Sequence, residues 1–195
     1  VIVLTGGMPE MVFEYILKNN GIDPATDLEI NQSIDFGSTA AAFTGDMSAD
    51  FTVEFEPSAT TLEKEGAGYV VASLGVDSGY VPYTSYSAKT SFLNENPQVI
   101  QSFTNALQKG MDYVQNHSPE EIALVISPQF PETDMDTLTT IVKRYYEQDT
   151  WKENLVFEKD SFELLQDILE SAGELEKRVD YEQLVNTEFA AGTDR

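Results

Sequence analysis

Val1-Ile2-Val3-Leu4-Thr5-Gly6-Gly7-Met8-Pro9-Glu10 opens the chain. The first four residues are a β-branched apolar run, which suits a buried strand, and the glycine pair breaks it. Pro9 then fits the first turn of a helix, where its missing N–H costs nothing. Met8, Met11, Val12, Tyr15 and Ile16 recur at helical spacing until Asn20-Gly21 offers a C-terminal cap. Strand, glycine turn and helix in that order are the unit from which parallel α/β sheets are built.

The same alternation continues outward. Asp23-Pro24 is a turn, residues 28–32 alternate as a half-buried strand, and residues 38–43 read as a short helix closed by Gly45-Asp46. Residues 51–55 alternate again, Pro57 starts a helix to Glu65, and Gly66 to Gly68 precede an apolar strand at residues 69–72. The expected order is β-α-β-α-β-α-β. A loop rich in Gly and Ser (residues 74–79) leads into an aromatic strand-like run at residues 80–86, and beyond Lys89 the pattern turns helical. Val99, Ile100, Phe103, Leu107, Met111 and Val114 share one face of a helix over residues 97–115. Ser118-Pro119-Glu120-Glu121 supplies an N-cap, an N1 proline and an acidic first turn, and residues 134–148 and 161–171 are two further amphipathic helices. A lobe boundary is expected near residues 84–88.

Composition narrows the function. The chain has 195 residues, 41% of them hydrophobic, with 11 Phe and 9 Tyr, enough for a core in one large domain or two small lobes. Its 34 acids against 11 bases leave a formal charge of −23, which repels nucleic-acid phosphates and anionic headgroups, so neither is expected as a partner. The acids are spread over both halves, which fits a solvated acidic surface and leaves open a cation-attracting face. Zero Cys excludes disulfides, thiolate metal sites and cysteine nucleophiles, and a single His argues against His-rich metal sites. No metal, no cofactor and no catalytic residue is expected. No apolar run approaches the roughly 20 residues of a membrane span. The start on Val1, within a strand, reads as the late part of a longer chain whose export signal or lipid anchor would lie upstream.

Few residues invite a chemical role. The turn Thr5-Gly6-Gly7-Met8 feeds a helix N-terminus, whose outward N–H groups suit an anion or a carbonyl oxygen, although taken alone it reads first as a plain structural turn. Glu54-Phe55-Glu56-Pro57 ends the third strand at the same carboxyl edge; alternation puts Glu54 and Glu56 on one face and Phe55 on the other. Their acids read either as helix caps or as ligand-binding carboxylates. Tyr80, Tyr83 and Tyr86 concentrate aromatics at the expected lobe crossing, where core packing and ligand stacking are both open. His117 reads as a helix-end surface residue and Trp151 as helix packing.

The succession Gly6-Gly7-Met8-Pro9-Glu10, Gly21-Ile22-Asp23-Pro24, Gly45-Asp46-Met47-Ser48-Ala49-Asp50 and Glu56-Pro57 resembles the solute-binding proteins of ABC importers for nitrate, sulfonates, taurine and thiamine-type pyrimidine precursors. The later run Phe92-Leu93-Asn94-Glu95-Asn96-Pro97 and the Ser118-Pro119-Glu120-Glu121 helix start share the resemblance, which covers nearly all of the chain. It implies an α/β, type II periplasmic-binding-protein fold of two lobes closing on a ligand. Residues 1–84 would be the second, near-complete lobe, and residues 85–195 the crossover strand and C-terminal helices of a first lobe whose front half is absent. Thr5, Gly6, Gly7 and Met8, then Phe55 and Glu56, and Tyr83 at the crossing would face the ligand.

The resemblance further implies a non-enzymatic extracytoplasmic protein, a cell-surface lipoprotein or periplasmic, that captures a small-molecule nutrient and delivers it to an ABC permease in the membrane. Gly-Gly-Met stands here where sulfonate binders carry Gly-Ser-Thr, and an acid such as Glu56 opposes a bound anion, so a heterocyclic or amine-bearing nutrient is favoured over sulfonate or nitrate. Fungal pyrimidine-synthesising enzymes share the fold but use a cysteine-rich segment, which this chain lacks. An effector-sensing domain of a transcriptional regulator is the alternative function. With the front of one lobe absent, apolar faces of the C-terminal helices would be open to self-association.

Overall fold

The computed structural model describes residues 1–4, 6–35, 37–45 and 48–193. By their contacts these fall into two units, residues 1–81 with 165–176, and residues 82–164 with 177–195.

In the first unit, strand β1 (Ile2–Leu4) leads through the glycine turn into helix α1 (Met8–Asn19), followed by strand β2 (Asn31–Ile34), helix α2 (Thr39–Gly45) and helix α3 (Ser58–Lys64). β1 and β2 pair in parallel. On its other side β1 meets the 51–55 segment through a single parallel bridge between Ile2 and Thr52, held by Ile2 N–H to the Phe51 carbonyl and Val53 N–H to the Ile2 carbonyl, both 2.9 Å. β1 is therefore central. Its consecutive residues Ile2 and Val3 are both buried, at 2% and 0% exposure, so both faces of the strand are covered, as expected for a parallel sheet. Val12 of α1, Leu62 of α3 and Ile168 complete the buried apolar set of this unit.

The end of α1 follows its sequence closely. Asn20 closes the helix, Gly21 takes the left-handed conformation (φ 75°), Ile22 N–H bonds the Leu17 carbonyl at 3.0 Å and Gly21 N–H the Lys18 carbonyl at 3.1 Å. This double closure needs a residue that enters positive φ without a Cβ penalty, and Gly21 supplies it.

Three sequence expectations are corrected here. The second strand begins at Asn31 rather than residue 28, because its ladder starts level with Ile2; an irregularity between Ile2 and Leu4 then spans three steps on β2 against two on β1. Residues 69–72 form no strand: Tyr69 is 83% and Val71 75% exposed, and Val70 N–H is taken by the Glu63 carboxylate at 2.9 Å, which removes a donor from any ladder. Residues 80–86 likewise make no strand, and the Gly/Ser loop before them holds one helical turn, α4 (Leu74–Asp77). An apolar or aromatic run becomes a strand only beside another backbone edge, and neither run has one among the described residues.

The second unit is helical: α5 (Thr90–Glu95), α6 (Pro97–Asn116), α7 (Pro119–Ile126), a 3-10 turn (Ser127–Gln129), α8 (Met135–Glu147), the first half of α9 (Lys159–Ser171), α10 (Tyr181–Leu184) and α11 (Glu188–Ala191). α7 starts as its sequence indicates, with Pro119 at N1. Ser118 Oγ accepts from Glu121 N–H at 3.3 Å, and the Glu121 carboxylate accepts from Ser118 N–H at 2.9 Å. Asp134 caps α8 by accepting from Thr137 N–H at 3.0 Å. α7 and α8 enclose Ile122, Ala123, Leu138 and Val142, against which Tyr113, Val114, Ile126 and Trp151 pack. Trp151 is thus a packing residue, as expected. His117 ends α6, stacked on Tyr113 at 3.6 Å with its Nδ1 2.8 Å from the Tyr113 carbonyl. On α6 the anticipated apolar face is only partly covered: Val99 and Phe103 remain 56% and 45% exposed, while Gln108 is fully buried. Its amide nitrogen donates to Asp112 at 2.8 Å and to the Glu153 carbonyl at 2.9 Å, which ties α6 to the chain after α8.

Candidate functional site

The sheet of the first unit defines one edge at which chemistry collects. β1 and the 51–55 segment run parallel and side by side, so the turn after β1 and residues 54–56 leave the sheet at its carboxyl end. Of the residues expected to face a ligand, Gly6, Gly7, Met8, Phe55 and Glu56 belong to this edge, and Thr5 lies outside the described residues. Tyr83 belongs to the second unit and is 61% exposed.

Gly6 and Gly7 both adopt positive φ, 67° and 83°, and a Cβ on either would meet no close backbone. The glycines are required by conformation rather than by crowding. Gly7 is the N-cap of α1 and brings no side chain to the helix start. That role falls to Glu10, at the third helical position. One of its carboxylate oxygens accepts from Gly6 N–H and the other from the Gln32 side-chain amide of β2. Pro9 contributes no N–H. The positive end of the helix thus already holds an internal carboxylate, joined to the turn and to the neighbouring strand.

The second feature is the pair of acids at residues 54 and 56. Glu56 accepts from Thr60 N–H at 3.0 Å in the first turn of α3, a helix-capping contact. Its peptide bond to Pro57 is cis. Glu54 differs. Its two oxygens accept from two hydroxyls on separate elements, Thr39 Oγ1 at 3.0 Å from the start of α2 and Thr52 Oγ1 at 2.8 Å from the bridge residue. Thr39 is itself buried. Burial pushes the Glu54 carboxyl above its ordinary range, against the opposing pull of the Thr52 and Thr39 hydroxyls. Among the described residues no Lys or Arg pairs with it.

A groove of about 330 Å³ lies between α2 and α3, floored by Ala40, Ala41 and Leu62 and rimmed by Thr44, Thr61 and Glu65. It contains none of the expected ligand-facing residues. Among the described residues no group of three or more His, Asp or Glu is placed to hold a metal ion, and no helix is long and apolar enough to cross a membrane.

Among the described residues the carboxylates at this edge are held by neutral partners. Residues 2–128 match the NMT1-like family. The chain belongs to that family. Over 185 residues this NMT1-like chain is also 42% identical to a protein of Bacillus subtilis (strain 168) that carries the name "Putative binding protein YtlA". That match takes in 95% of the chain and 55% of the relative, so the NMT1-like chain spans about half the length of the protein it matches. The two matches bear out the resemblance to solute-binding proteins of the nitrate, sulfonate and taurine type. They point to solute binding rather than catalysis, and they are compatible with the small parallel sheet and its crossover helices as part of a periplasmic-binding fold.

Sequence reasoning named the glycine turn and the Glu-Pro segment but gave Glu10, Gln32, Thr39 and Thr52 no role. A signal existed for Glu10: an acid at the third position of a helix whose N-cap is glycine is placed to reach back to a free N–H. The two threonines gave none, because their meeting at Glu54 depends on which strand stands next to β1.

Proposed function

We propose that the chain is the solute-capturing part of an extracytoplasmic ABC-importer component, a lipoprotein or periplasmic protein that hands a small nutrient to a membrane permease. In this reading residues 1–84 form the second lobe and residues 85–195 the returning part of the first. The first unit contributes Thr5, Gly6, Gly7, Met8 and Phe55 to the ligand, together with a carboxylate of the 54–56 segment. A heterocyclic or amine-bearing nutrient is favoured over nitrate or a sulfonate. The observation that carries this preference is the Glu10 carboxylate on Gly6 N–H, because one turn donor is already engaged by a negative group that opposes a second anion beside it. The family and the binding-protein relative support the capture role.

Thermal shifts against nitrate, taurine, other sulfonates, polyamines, pyrimidines and flavins test the reading. A ligand at 100 times its dissociation constant stabilises the folded state by about 2.7 kcal/mol. Stabilisation by amines or pyrimidines is the expected result. Stabilisation by nitrate or sulfonates alone overturns the preference, and a flat panel overturns the capture role in favour of an effector-sensing domain.

A further inference from the structure

Glu54 is a half-buried carboxylate whose hydrogen-bond partners among the described residues are two neutral hydroxyls. Removing a carboxylate from water is costly unless it is paired, and pairing normally comes from a cation or several N–H donors. Here neither is present among the described residues. Each oxygen accepts one hydroxyl, and a carboxylate oxygen has two lone pairs, so each keeps one acceptor direction unused. The two threonines come from different elements, α2 and the segment beside β1, and this fixes the plane of the carboxylate before any partner arrives. Glu54 also stands two residues beyond the bridge to Ile2, at the sheet edge where the glycine turn emerges. Glu56, two residues further on, accepts the Thr60 N–H in the first turn of α3.

Building on the proposed capture function, we infer that Glu54 is the specificity-determining carboxylate of the site: it accepts the N–H groups of an amine or aminoheterocycle, oriented by Thr39 and Thr52. The bound donor completes the pairing that the folded chain leaves open. A neutral or anionic ligand without an N–H group returns nothing for the burial of this charge, so the residue both attracts the first class and rejects the second.

The test is calorimetric titration of the full chain with two probes, putrescine and 4-aminopyrimidine. Glu54→Gln keeps the side-chain shape, with one threonine hydroxyl still donating to the amide oxygen and the other turned to accept from the NH2 group, and it weakens the better-bound probe about 10- to 100-fold, the loss expected for one charge-assisted hydrogen bond. Glu65→Gln removes an equal charge from the far end of α3 and retains wild-type affinity, which separates a local contact from the general acidic field. Thr39→Val weakens binding by a smaller factor and so reports on orientation. Equal affinity of Glu54→Gln and wild type overturns the assignment while leaving the capture function standing. Loss in Glu56→Gln with none in Glu54→Gln overturns it in favour of the neighbouring acid. A wild-type chain that binds nitrate or methanesulfonate, which carry no N–H group, but neither amine probe overturns the amine preference, and Glu54's role with it.

Discussion

Glu10→Ala removes a side chain that joins the glycine turn, α1 and β2. Three losses add. Gly6 N–H is exposed, so water replaces much of what it loses, whereas the Gln32 amide is part-buried and is left short of an acceptor, a cost of about 1 kcal/mol. The negative charge in the first turn contributes a further 0.3–1 kcal/mol or so through the helix dipole. The expected destabilisation is about 2 kcal/mol, which lowers the melting temperature by about 4–8 °C for a chain of this size. Glu10→Gln keeps one acceptor and loses the charge, so it falls between wild type and alanine. Helical circular dichroism reads the global effect, and amide hydrogen exchange along α1 localises it. Trp151 belongs to the second unit, so its fluorescence is an internal control that follows a different part of the chain. A loss under about 0.5 kcal/mol, or a glutamine variant less stable than the alanine variant, refutes the account of Glu10 as a charged cap.

Three further outcomes follow from the same structure. Burial raises the Glu54 carboxyl, so the folded state favours its protonated form; the stability linked to this group is complete below the unfolded value of about 4 and is lost as pH rises through the higher folded value. Glu54→Gln is therefore at least as stable as wild type at pH 7, with the gap closing toward pH 4, and urea melts at several pH values that show the opposite order refute it. Leu138→Ala opens a cavity in the α7–α8 core, where Leu138 is 2% exposed, and costs about 2–5 kcal/mol by urea denaturation followed through Trp151; a cost below 1 kcal/mol contradicts that packing. The exposed Val99 and Phe103 of α6 and Leu124 and Val125 of α7 lead us to expect self-association in sedimentation velocity, weakened by Leu124→Lys, whereas a chain that stays monomeric at high concentration removes the expectation.

What the sequence made legible was whatever depends on near neighbours in the chain. The β1 turn, the length of α1, its Asn20-Gly21 closure and the Ser118–Glu121 cap are each determined within a few residues, and each was readable. Strand positions were not. Residues 69–72 and 80–86 carry strand-like side chains, but a strand also requires a partner edge, and partner edges are set by topology. The burial of Gln108 depends likewise on a distant partner, the Glu153 carbonyl that receives its amide.

At the candidate site this division bears directly on ligand choice. Sequence alone placed two acids, Glu54 and Glu56, on one face of a strand end and could not tell cap from ligand carboxylate, because both roles use the same residue type at the same place. In the fold their partners differ. A backbone N–H of α3 engages Glu56, and that contact is internal to the fold. Among the described residues Glu54 receives two hydroxyls, which orient a charge without neutralising it. With Glu10 already placed on the glycine turn, the edge presents negative groups where an anion binder needs positive ones, so the local chemistry and the overall charge of −23 act in the same direction. On the proposed reading, selection between ligands rests on whether the ligand brings N–H donors to the Glu54 carboxylate, which two hydroxyls orient and which no Lys or Arg among the described residues pairs.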